Sequence, residues 1–223
     1  THHAFPNRGE GFCVFNDVAV AIRDLQAVGV VDTAAVLDLD VHQGNGTAAI
    51  FAEDDSVFTL SVHGARNYPF RKEASDLDVE LDDGADDDAF LDAVEGGVAR
   101  ALAASPDVVF YLAGADPYEG DRLGRLGVSR AGLARRDELV FEMCLRRGVP
   151  VAVVMAGGYA EDVADTVDIH ATTVRLAADA TGARGGGRAA SAPDDRAGTV
   201  DAGEPGAGAV GAGARSEGSE GPS

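Results

Sequence analysis

The amino-acid sequence predicts an α/β fold, in which a mainly parallel β-sheet is covered by helices on both faces. Short apolar runs without polar alternation recur along the chain, as in strands that are buried on both faces of a parallel sheet. Amphipathic helical patterns separate these runs, and this alternation is typical of a doubly wound sheet. The chain has 223 residues, 45% of them hydrophobic, which is enough for one domain of this class.

Four strands are predicted from the apolar runs, at residues 34–39, 57–62, 108–112 and 151–155. Each run is rich in aliphatic and β-branched side chains, which pack well on a pleated surface that is buried on both sides. The carboxylate-rich stretch 76–88 is interpreted as a solvated loop that leads into a helix, because negative charge is favourable at a helix N-terminus.

Four helices are predicted between and after the strands. The first is capped by Asn16 or Asp17 and ends at Gly29, since short polar side chains favour helix starts and glycine favours helix ends. The other three are placed where apolar residues recur with helical spacing, at residues 86–103, 130–147 and about 160–178.

The composition changes near residue 182, where Gly, Ala, Ser, Pro, Asp and Arg begin to dominate. Such a segment buries too little apolar surface to offset the entropy cost of ordering it. We therefore predict one domain over residues 1–181, followed by a disordered low-complexity tail over residues 182–223.

The chain is strongly acidic, with 38 Asp and Glu against 18 Lys and Arg and a formal net charge of −20. A field of this sign repels nucleic acid and favours cationic partners. No apolar run is long enough to span a membrane, and no signal peptide is visible. Cys13 and Cys144 are isolated, which favours a reducing compartment, so we expect a cytoplasmic protein.

The stretch from Asp38 to Gly46 contains the most informative pattern. Asp38, Asp40 and His42 follow an apolar run and precede a glycine turn, so they are expected at the end of a buried strand. Alternate residues of a strand point to the same face. Two carboxylates and an imidazole would then form half of a metal site.

Other polar residues follow predicted strands in the same way. Asp116 comes after the run at 108–112, and Tyr159 follows the run at 151–155 and a pair of glycines. Open α/β sheets bind ligands at the carboxyl ends of their strands, so one crevice is expected to hold these side chains. Each residue alone has an ordinary structural explanation, such as a helix cap or a turn, and only their combination indicates a site. His2 and His3 add a pair of imidazoles beside a glycine-rich loop.

Six ordered motifs resemble those of zinc-dependent histone deacetylases: residues 1–4 (THHA), 11–13 (GFC), 38–46 (DLDVHQGNG), 61–63 (SVH), 114–116 (GAD) and 157–159 (GGY). Residues 119–124 (EGDRLG) and 136–141 (RDELVF) look most like the class IV subgroup. The resemblance covers about residues 1–181. It implies the arginase/deacetylase fold, a three-layer αβα sandwich. Members of the family carry a further segment before the histidine pair, so the chain is expected to be N-terminally truncated and to lack the first strands.

The resemblance also implies a role for each matched residue. Asp40, His42 and Asp116 would bind Zn²⁺, although this fairly hard ligand set also suits Fe²⁺ or Mn²⁺. The implied catalytic residues are His2, His3, Asp38, Asn45 and Tyr159. His3 would be the general base, His2 would be held by Asp38, and Tyr159 would stabilise the oxyanion. Asn45 stands where some relatives have an Asp.

Two further sites follow from the same resemblance. A structural K⁺ would be bound by Ser61 and by carbonyl oxygens of Asp38, Asp40, His42 and Val62. The acyl-lysine channel would be lined by Gly11, Phe12, Tyr68 and Leu123. His63 and His170 are interpreted as structural residues.

The leading interpretation is a metal-dependent amide hydrolase that removes an acetyl or longer acyl group from lysine ε-amino groups. Its partners would be acylated lysines in proteins or small cationic acylamines, without direct contact to nucleic acid or membrane. One alternative is a catalytically impaired, truncated remnant that binds metal. Another is an acylpolyamine or arginase-like metallohydrolase, although the histidine pair and Tyr159 speak against action on ureas or guanidines.

Overall fold

The computed structural model describes residues 1–182 and contains a sheet of five parallel strands in the order β3-β2-β1-β4-β5. The strands are β1 (Ala34–Asp38), β2 (Val57–Gly64), β3 (Leu77–Leu81), β4 (Val108–Ala113) and β5 (Val151–Met155). The helices are α1 (Asp17–Ala27), α2 (Asn45–Phe51), α3 (Asp87–Ala103), α4 (Arg130–Arg147) and α5 (Val163–Gly182). The predicted tail, residues 182–223, lies outside the described residues apart from Gly182, which ends α5.

Strand β1 is the centre of the sheet, and every one of its residues is buried. It pairs in parallel with β2 on one side and with β4 on the other, so that Leu37 lies opposite both Leu60 and Tyr111. The register brings the carboxyl ends of β1 and β4 to the same edge, since Asp38 lies opposite Leu112. Strand β5 continues this edge beside β4.

Two hydrophobic cores cover the two faces of the sheet, because successive residues of a strand point to opposite sides. Leu37 and Tyr111 point towards α3, α4 and α5, and this larger core includes Phe90 and Leu133. Their neighbours in the strands point towards α1 and α2, and this smaller core includes Ile22. The prediction of a parallel α/β sheet with helices on both faces is confirmed.

The helix boundaries follow the cap residues seen in the sequence. Asn16 and Asp86 cap α1 and α3, since their carboxyl or amide oxygens accept backbone N–H groups of the first turn. Ser129 caps α4 in the same way. Helix α4 ends at Gly148, whose φ of 73° lies in the left-handed region that glycine adopts without strain.

Two elements differ from the prediction. Residues 77–81 form the edge strand β3, although the acidic stretch was expected to be a loop. The alternation of Leu77, Val79 and Leu81 with two carboxylates is typical of a half-exposed strand and was the available signal. Helix α2 begins directly after the glycine turn, where the sequence predicts no helix. Helix α5 ends at Gly182, four residues beyond its predicted end.

Within residues 1–182, no helix is both long and apolar enough to cross a bilayer.

Hydrogen bonds from a buried ion pair on α4 link this helix to the carboxyl end of β4. Nε of Arg136 donates to Oδ1 of Asp137 at 2.9 Å, and another guanidinium nitrogen donates to the carbonyl oxygen of Gly114 at 2.5 Å. Asp137 also accepts hydrogen bonds from the hydroxyls of Tyr111 and Thr173. Arg136 is fully buried, so this network holds the backbone two residues before Asp116 in place.

We expect Asp137→Ala to lower the free energy of unfolding by about 3–5 kcal/mol, because it leaves the buried guanidinium of Arg136 without its carboxylate. Urea denaturation measures this loss. Glu138→Ala is the matched control, since that side chain is half-exposed and within residues 1–182 its ion-pair partner is the exposed Arg135. It should change stability by at most about 1 kcal/mol, and equal losses in the two variants would contradict the structural role of the network.

Candidate active site

The polar residues singled out in the sequence lie at the carboxyl edge of three neighbouring strands. Asp38 ends β1, and Asp40 and His42 follow it. Asp116 follows β4, and Tyr159 follows β5. Because β1, β4 and β5 are parallel neighbours, the loops that leave them share one edge of the sheet.

Asp40, His42 and Asp116 form a buried group that could hold a metal ion. Nδ1 of His42 lies 3.0 Å from Oδ1 of Asp40 and 3.2 Å from Oδ2 of Asp116. One ligand atom from each residue lies within 4.8 Å of the other two. Ligands placed about 2.0–2.2 Å from a shared Zn²⁺ are separated by similar distances.

Backbone donors hold the two carboxylates in place beside the imidazole of His42. Asp40 accepts the N–H groups of His42 at 2.9 Å and of Gly157 at 2.7 Å. Oδ1 of Asp116 accepts the N–H of Val41 at 2.9 Å, whereas its buried Oδ2 has no well-formed hydrogen bond among the described residues. An orphaned carboxylate oxygen that faces a second carboxylate and an imidazole is typical of a metal ligand.

The charges in this group are strongly coupled. Burial, followed by the charge of Asp40, raises the pKa of Asp116 to about 7. Burial alone would lower the pKa of His42, but hydrogen bonds to Asp116 and Asp40 outweigh it and raise the pKa to about 10. The two carboxylates therefore concentrate negative potential at one buried point, where a cation is favourable.

The histidine pair lies beside the three residues. The ring centroids of His2 and His3 are 4.1 Å apart, and both residues are buried. Nδ1 of His2 contacts Oδ2 of Asp38 at 2.7 Å. Burial opposes charge on His2, but Asp38 and Asp40 raise its pKa to about 9. Burial and the charge of His2 lower the pKa of His3 to about 3, so His2 is charged and His3 is neutral at pH 7.

The tautomer of His3 follows from its neighbours. Nδ2 of Asn45 lies 3.1 Å from Oε1 of Glu10, and a carboxylate only accepts, so the amide nitrogen of Asn45 must face Glu10. Oδ1 of Asn45 then faces Nδ1 of His3 at 2.8 Å and accepts a hydrogen bond from its N–H. Nε2 of His3 is left with a free lone pair, which is the form that a general base requires.

Glu10 is a residue that sequence reasoning did not assign. Its Oε1 also accepts the hydroxyl of Tyr68 at 2.6 Å, so one carboxylate joins Asn45 to Tyr68. The Tyr68 ring packs edge-on against His3 with centroids 4.9 Å apart. No periodicity or motif in the sequence separates Glu10 from an ordinary loop carboxylate, and only the fold brings these four residues together.

A cavity of about 840 Å³ opens at this site. Asp40, His42, Asp116 and both histidines of the pair line it together with Tyr159. The four residues expected to line the acyl-lysine channel also line it: Gly11, Phe12, Tyr68 and Leu123.

The residues that line the cavity lie at different depths. The carboxylates of Asp40 and Asp116 are buried at the floor, whereas Phe12 is 92% exposed and marks the mouth. Gly11 has a φ of 52°, and a Cβ there would lie 2.3 Å from the ring of His3. Only glycine therefore fits between Phe12 and the imidazole.

Tyr159 is anchored through its backbone. Its N–H donates to Asp121, and its carbonyl oxygen accepts from Nε of Arg122 at 3.1 Å. Burial, followed by the charges of Asp116 and Asp40, raises the pKa of Tyr159 above its ordinary value. The hydroxyl thus stays protonated and is available as a hydrogen-bond donor.

Ser61 and Val62, two of the residues expected to bind K⁺, lie on β2 beside the strand that ends in Asp38. Ser61 is paired in register with Asp38 on the adjacent strand, and both are buried. The hydroxyl of Ser61 lies 2.9 Å from Nδ1 of His63. Nothing in this geometry tests the ion, and K⁺ binding stays a prediction. His63 and His170 do not line the cavity.

Comparison with known proteins agrees with the motifs. The family model described as "Histone deacetylase domain" matches residues 1–174. An uncharacterized protein of Picosynechococcus is 48% identical over 180 residues, covering 80% of this chain and 60% of the relative. Histone deacetylase 2 of Arabidopsis thaliana is 33% identical over 175 residues, covering 75% of this chain and 45% of the relative. The histone deacetylase-like amidohydrolase of Pseudomonas aeruginosa is 33% identical, with 72% of this chain and 46% of that protein covered.

Solved structures of the same class superimpose on the chain. The HD domain of HDA15 has a TM-score of 0.68 at 30% identity, covering 81% of this chain and 54% of that one. An acetylpolyamine aminohydrolase from Burkholderia pseudomallei has a TM-score of 0.64 at 27% identity, covering 83% and 54%. The chain spans about half to three-fifths of the length of these relatives. By its motifs, its fold and these matches, this chain belongs to the histone deacetylase family.

Proposed function

We propose that this protein is a metal-dependent amide hydrolase that removes an acetyl or longer acyl group from the ε-amino group of lysine. One observation carries the proposal. The buried group of Asp40, His42 and Asp116 lines the same cavity as a neutral His3 and a protonated Tyr159. Membership in the histone deacetylase family supports the same chemistry.

Asp40, His42 and Asp116 would hold the metal, and we propose Zn²⁺. Three protein ligands leave positions for water and substrate, as in catalytic zinc sites, although the two oxygens and one nitrogen also suit Fe²⁺ or Mn²⁺. The unsatisfied Oδ2 of Asp116 supports this assignment. A bound divalent cation would lower the pKa of water and polarise the acyl carbonyl.

His3 would act as general base and then as general acid. Its Nε2 takes a proton from water as the water oxygen bonds to the acyl carbon. When the C–N bond breaks, the same nitrogen returns the proton to the leaving amine, and the products are a carboxylate and a free lysine. His2, charged and held by Asp38, would stabilise negative charge beside it.

Tyr159 would stabilise the transition state. Its hydroxyl would donate a hydrogen bond to the carbonyl oxygen as that oxygen becomes an oxyanion. Donors of this kind are effective because they are already oriented in a site that excludes water. The anchoring of the Tyr159 backbone by Asp121 and Arg122 supports such preorganisation.

We propose a structural K⁺ at Ser61 and at carbonyl oxygens of Asp38, Asp40, His42 and Val62. These residues lie on β1, on β2 and in the loop after β1. A monovalent cation there would offset part of the negative charge of the buried carboxylates. Free Cys13 and Cys144 support a reducing compartment, and we propose the cytoplasm.

An acylated polyamine is the second candidate substrate. The structural match to an acetylpolyamine aminohydrolase favours it, as does the net charge of −20. A metal-binding remnant without turnover is the third reading. Zinc stoichiometry measured together with hydrolysis of an acyl-lysine peptide and of N¹-acetylspermidine separates the three.

Gly157→Ala is expected to abolish stoichiometric zinc binding. A Cβ at this position would lie 1.9 Å from Oδ2 of Asp116 and 2.8 Å from Oδ2 of Asp40, so both proposed ligands would have to move. Metal analysis after dialysis measures the loss. Gly96→Ala is the matched control, because a Cβ there meets no atom within 4 Å on the exposed face of α3. Full zinc occupancy in Gly157→Ala would argue against the assigned ligands.

Tyr159→Phe is expected to lower kcat on an acyl-lysine peptide by about 10²–10³-fold while zinc stays bound, because it removes one oxyanion donor. Tyr118→Phe is the control, since that hydroxyl donates to Asp165 outside the cavity. It should retain wild-type kcat. Unchanged turnover in Tyr159→Phe would refute the proposed role.

A further inference from the structure

Three arginines surround the mouth of the cavity, although the chain as a whole carries a net charge of −20. Arg66, Arg122 and Arg125 line the cavity, and all three are exposed at its outer end, opposite the buried carboxylates of the floor. We call these residues the arginine rim. The local positive charge at the mouth is opposite in sign to the net charge of the chain.

The rim is held together by a buried side chain. Asn67, which is 3% exposed, donates from Nδ2 to the carbonyl oxygen of Leu123 at 2.8 Å. This hydrogen bond joins the loop that carries Arg66 to the loop that carries Arg122 and Arg125. The three guanidinium groups therefore belong to one connected structure.

The acidic groups near the rim neutralise it only in part. Oδ2 of Asp83 lies 3.7 Å from Arg66 and 3.2 Å from Arg125, so two arginines share one carboxylate. Asp121 lies in the loop that carries Arg122 and Arg125. Its oxygens accept the N–H groups of Leu123, Gly124 and Tyr159 and are therefore already engaged by backbone donors. Three arginines face two carboxylates, and Arg122 has no ion pair within 4.0 Å among residues 1–182.

Two phenylalanines beside the rim provide apolar contact area. Phe12 is 92% exposed and Phe70 is 89% exposed, and both line the cavity. Exposed aromatic side chains next to a charged rim are typical of surfaces that bind a polypeptide. A small acylamine that enters the channel would leave most of this area uncovered.

We infer that the substrate is an acyl-lysine within an acidic peptide segment, whose Asp or Glu side chains pair with the arginine rim. The inference rests on the proposed function and names the substrate class of the same site. The rim also disfavours polyamines, because their remaining ammonium groups would lie near guanidinium groups, within the Debye length of about 8 Å. The net charge of the chain points to cationic substrates, but the local field at the mouth decides what enters.

The test uses the full, zinc-loaded chain and three substrates. Two peptides carry the same acetyl-lysine between either two Asp or two Lys residues, and N¹-acetylspermidine is the third. We expect kcat/KM for the acidic peptide to exceed that for the basic peptide by about tenfold at low salt, which corresponds to a few surface ion pairs. The difference should shrink to about twofold near 1 M salt, where the Debye length falls to about 3 Å.

The double variant Arg66→Gln, Arg125→Gln tests the residues. It should reduce the preference for the acidic peptide to about threefold or less. The matched control is Arg135→Gln, Arg146→Gln, which changes the net charge by the same amount at exposed positions of α4 outside the cavity. The control should keep the full preference, and equal loss in both double variants would show a general charge effect and overturn the inference.

Failure of the inference and failure of the proposed function give different results. Equal turnover of the two peptides, or preference for the basic peptide or N¹-acetylspermidine, overturns the inference while hydrolysis stands. If no substrate is hydrolysed, the proposed function fails, and fluorescence anisotropy of both peptides in the Tyr159→Phe variant tests the rim. The inference is supported if the acidic peptide binds more tightly than the basic peptide and this difference disappears when Arg66 and Arg125 are replaced by Gln. Equal affinity for the two peptides overturns it.

Discussion

The site depends on two carboxylates that are buried a few ångströms apart. Asp40 and Asp116 meet at the carboxyl edge of the sheet, where both side chains are almost fully buried. Two such charges are tolerated only if positive charge lies between or beside them. The neighbouring side chains and backbone groups meet this requirement. His42 lies between the carboxylates, His2 lies 3.9 Å from Asp40, and backbone N–H groups hold the remaining oxygens.

This arrangement also separates the roles of two adjacent histidines. His2 takes up charge because it faces Asp38 and Asp40, and its charge in turn keeps His3 neutral. Asn45 offers His3 a neutral acceptor that fixes its tautomer and favours the imidazolium less than a carboxylate would. Two chemically identical side chains thus differ because their partners differ. The carboxylate of Glu10 accepts a hydrogen bond from Asn45 and so orients the amide without contacting the imidazole of His3.

The central part of this arrangement could be predicted from sequence. Buried strands produce unbroken apolar runs, and polar residues at the ends of such runs must meet at one edge of a parallel sheet. Strand β3 was missed because its alternating pattern is embedded in an acidic stretch, and α2 was missed because it begins with glycine and asparagine. Glu10 and the arginine rim come from loops, where spacing carries no period that would reveal a contact. The net charge of the chain also gave no indication of the local surplus of arginine at the mouth, because an average over the surface conceals a cluster of three residues.

The contact between Arg136 and the carbonyl oxygen of Gly114 has a consequence for how the molecule responds to disturbance. It joins the interior of helix α4 to the loop that presents Asp116. Loosening of that helix would therefore disturb the loop that positions Asp116, the proposed metal ligand. Conversely, if the proposed metal site binds a cation, the ion would stabilise α4 through the same contact, so that the melting temperature would rise with metal occupancy.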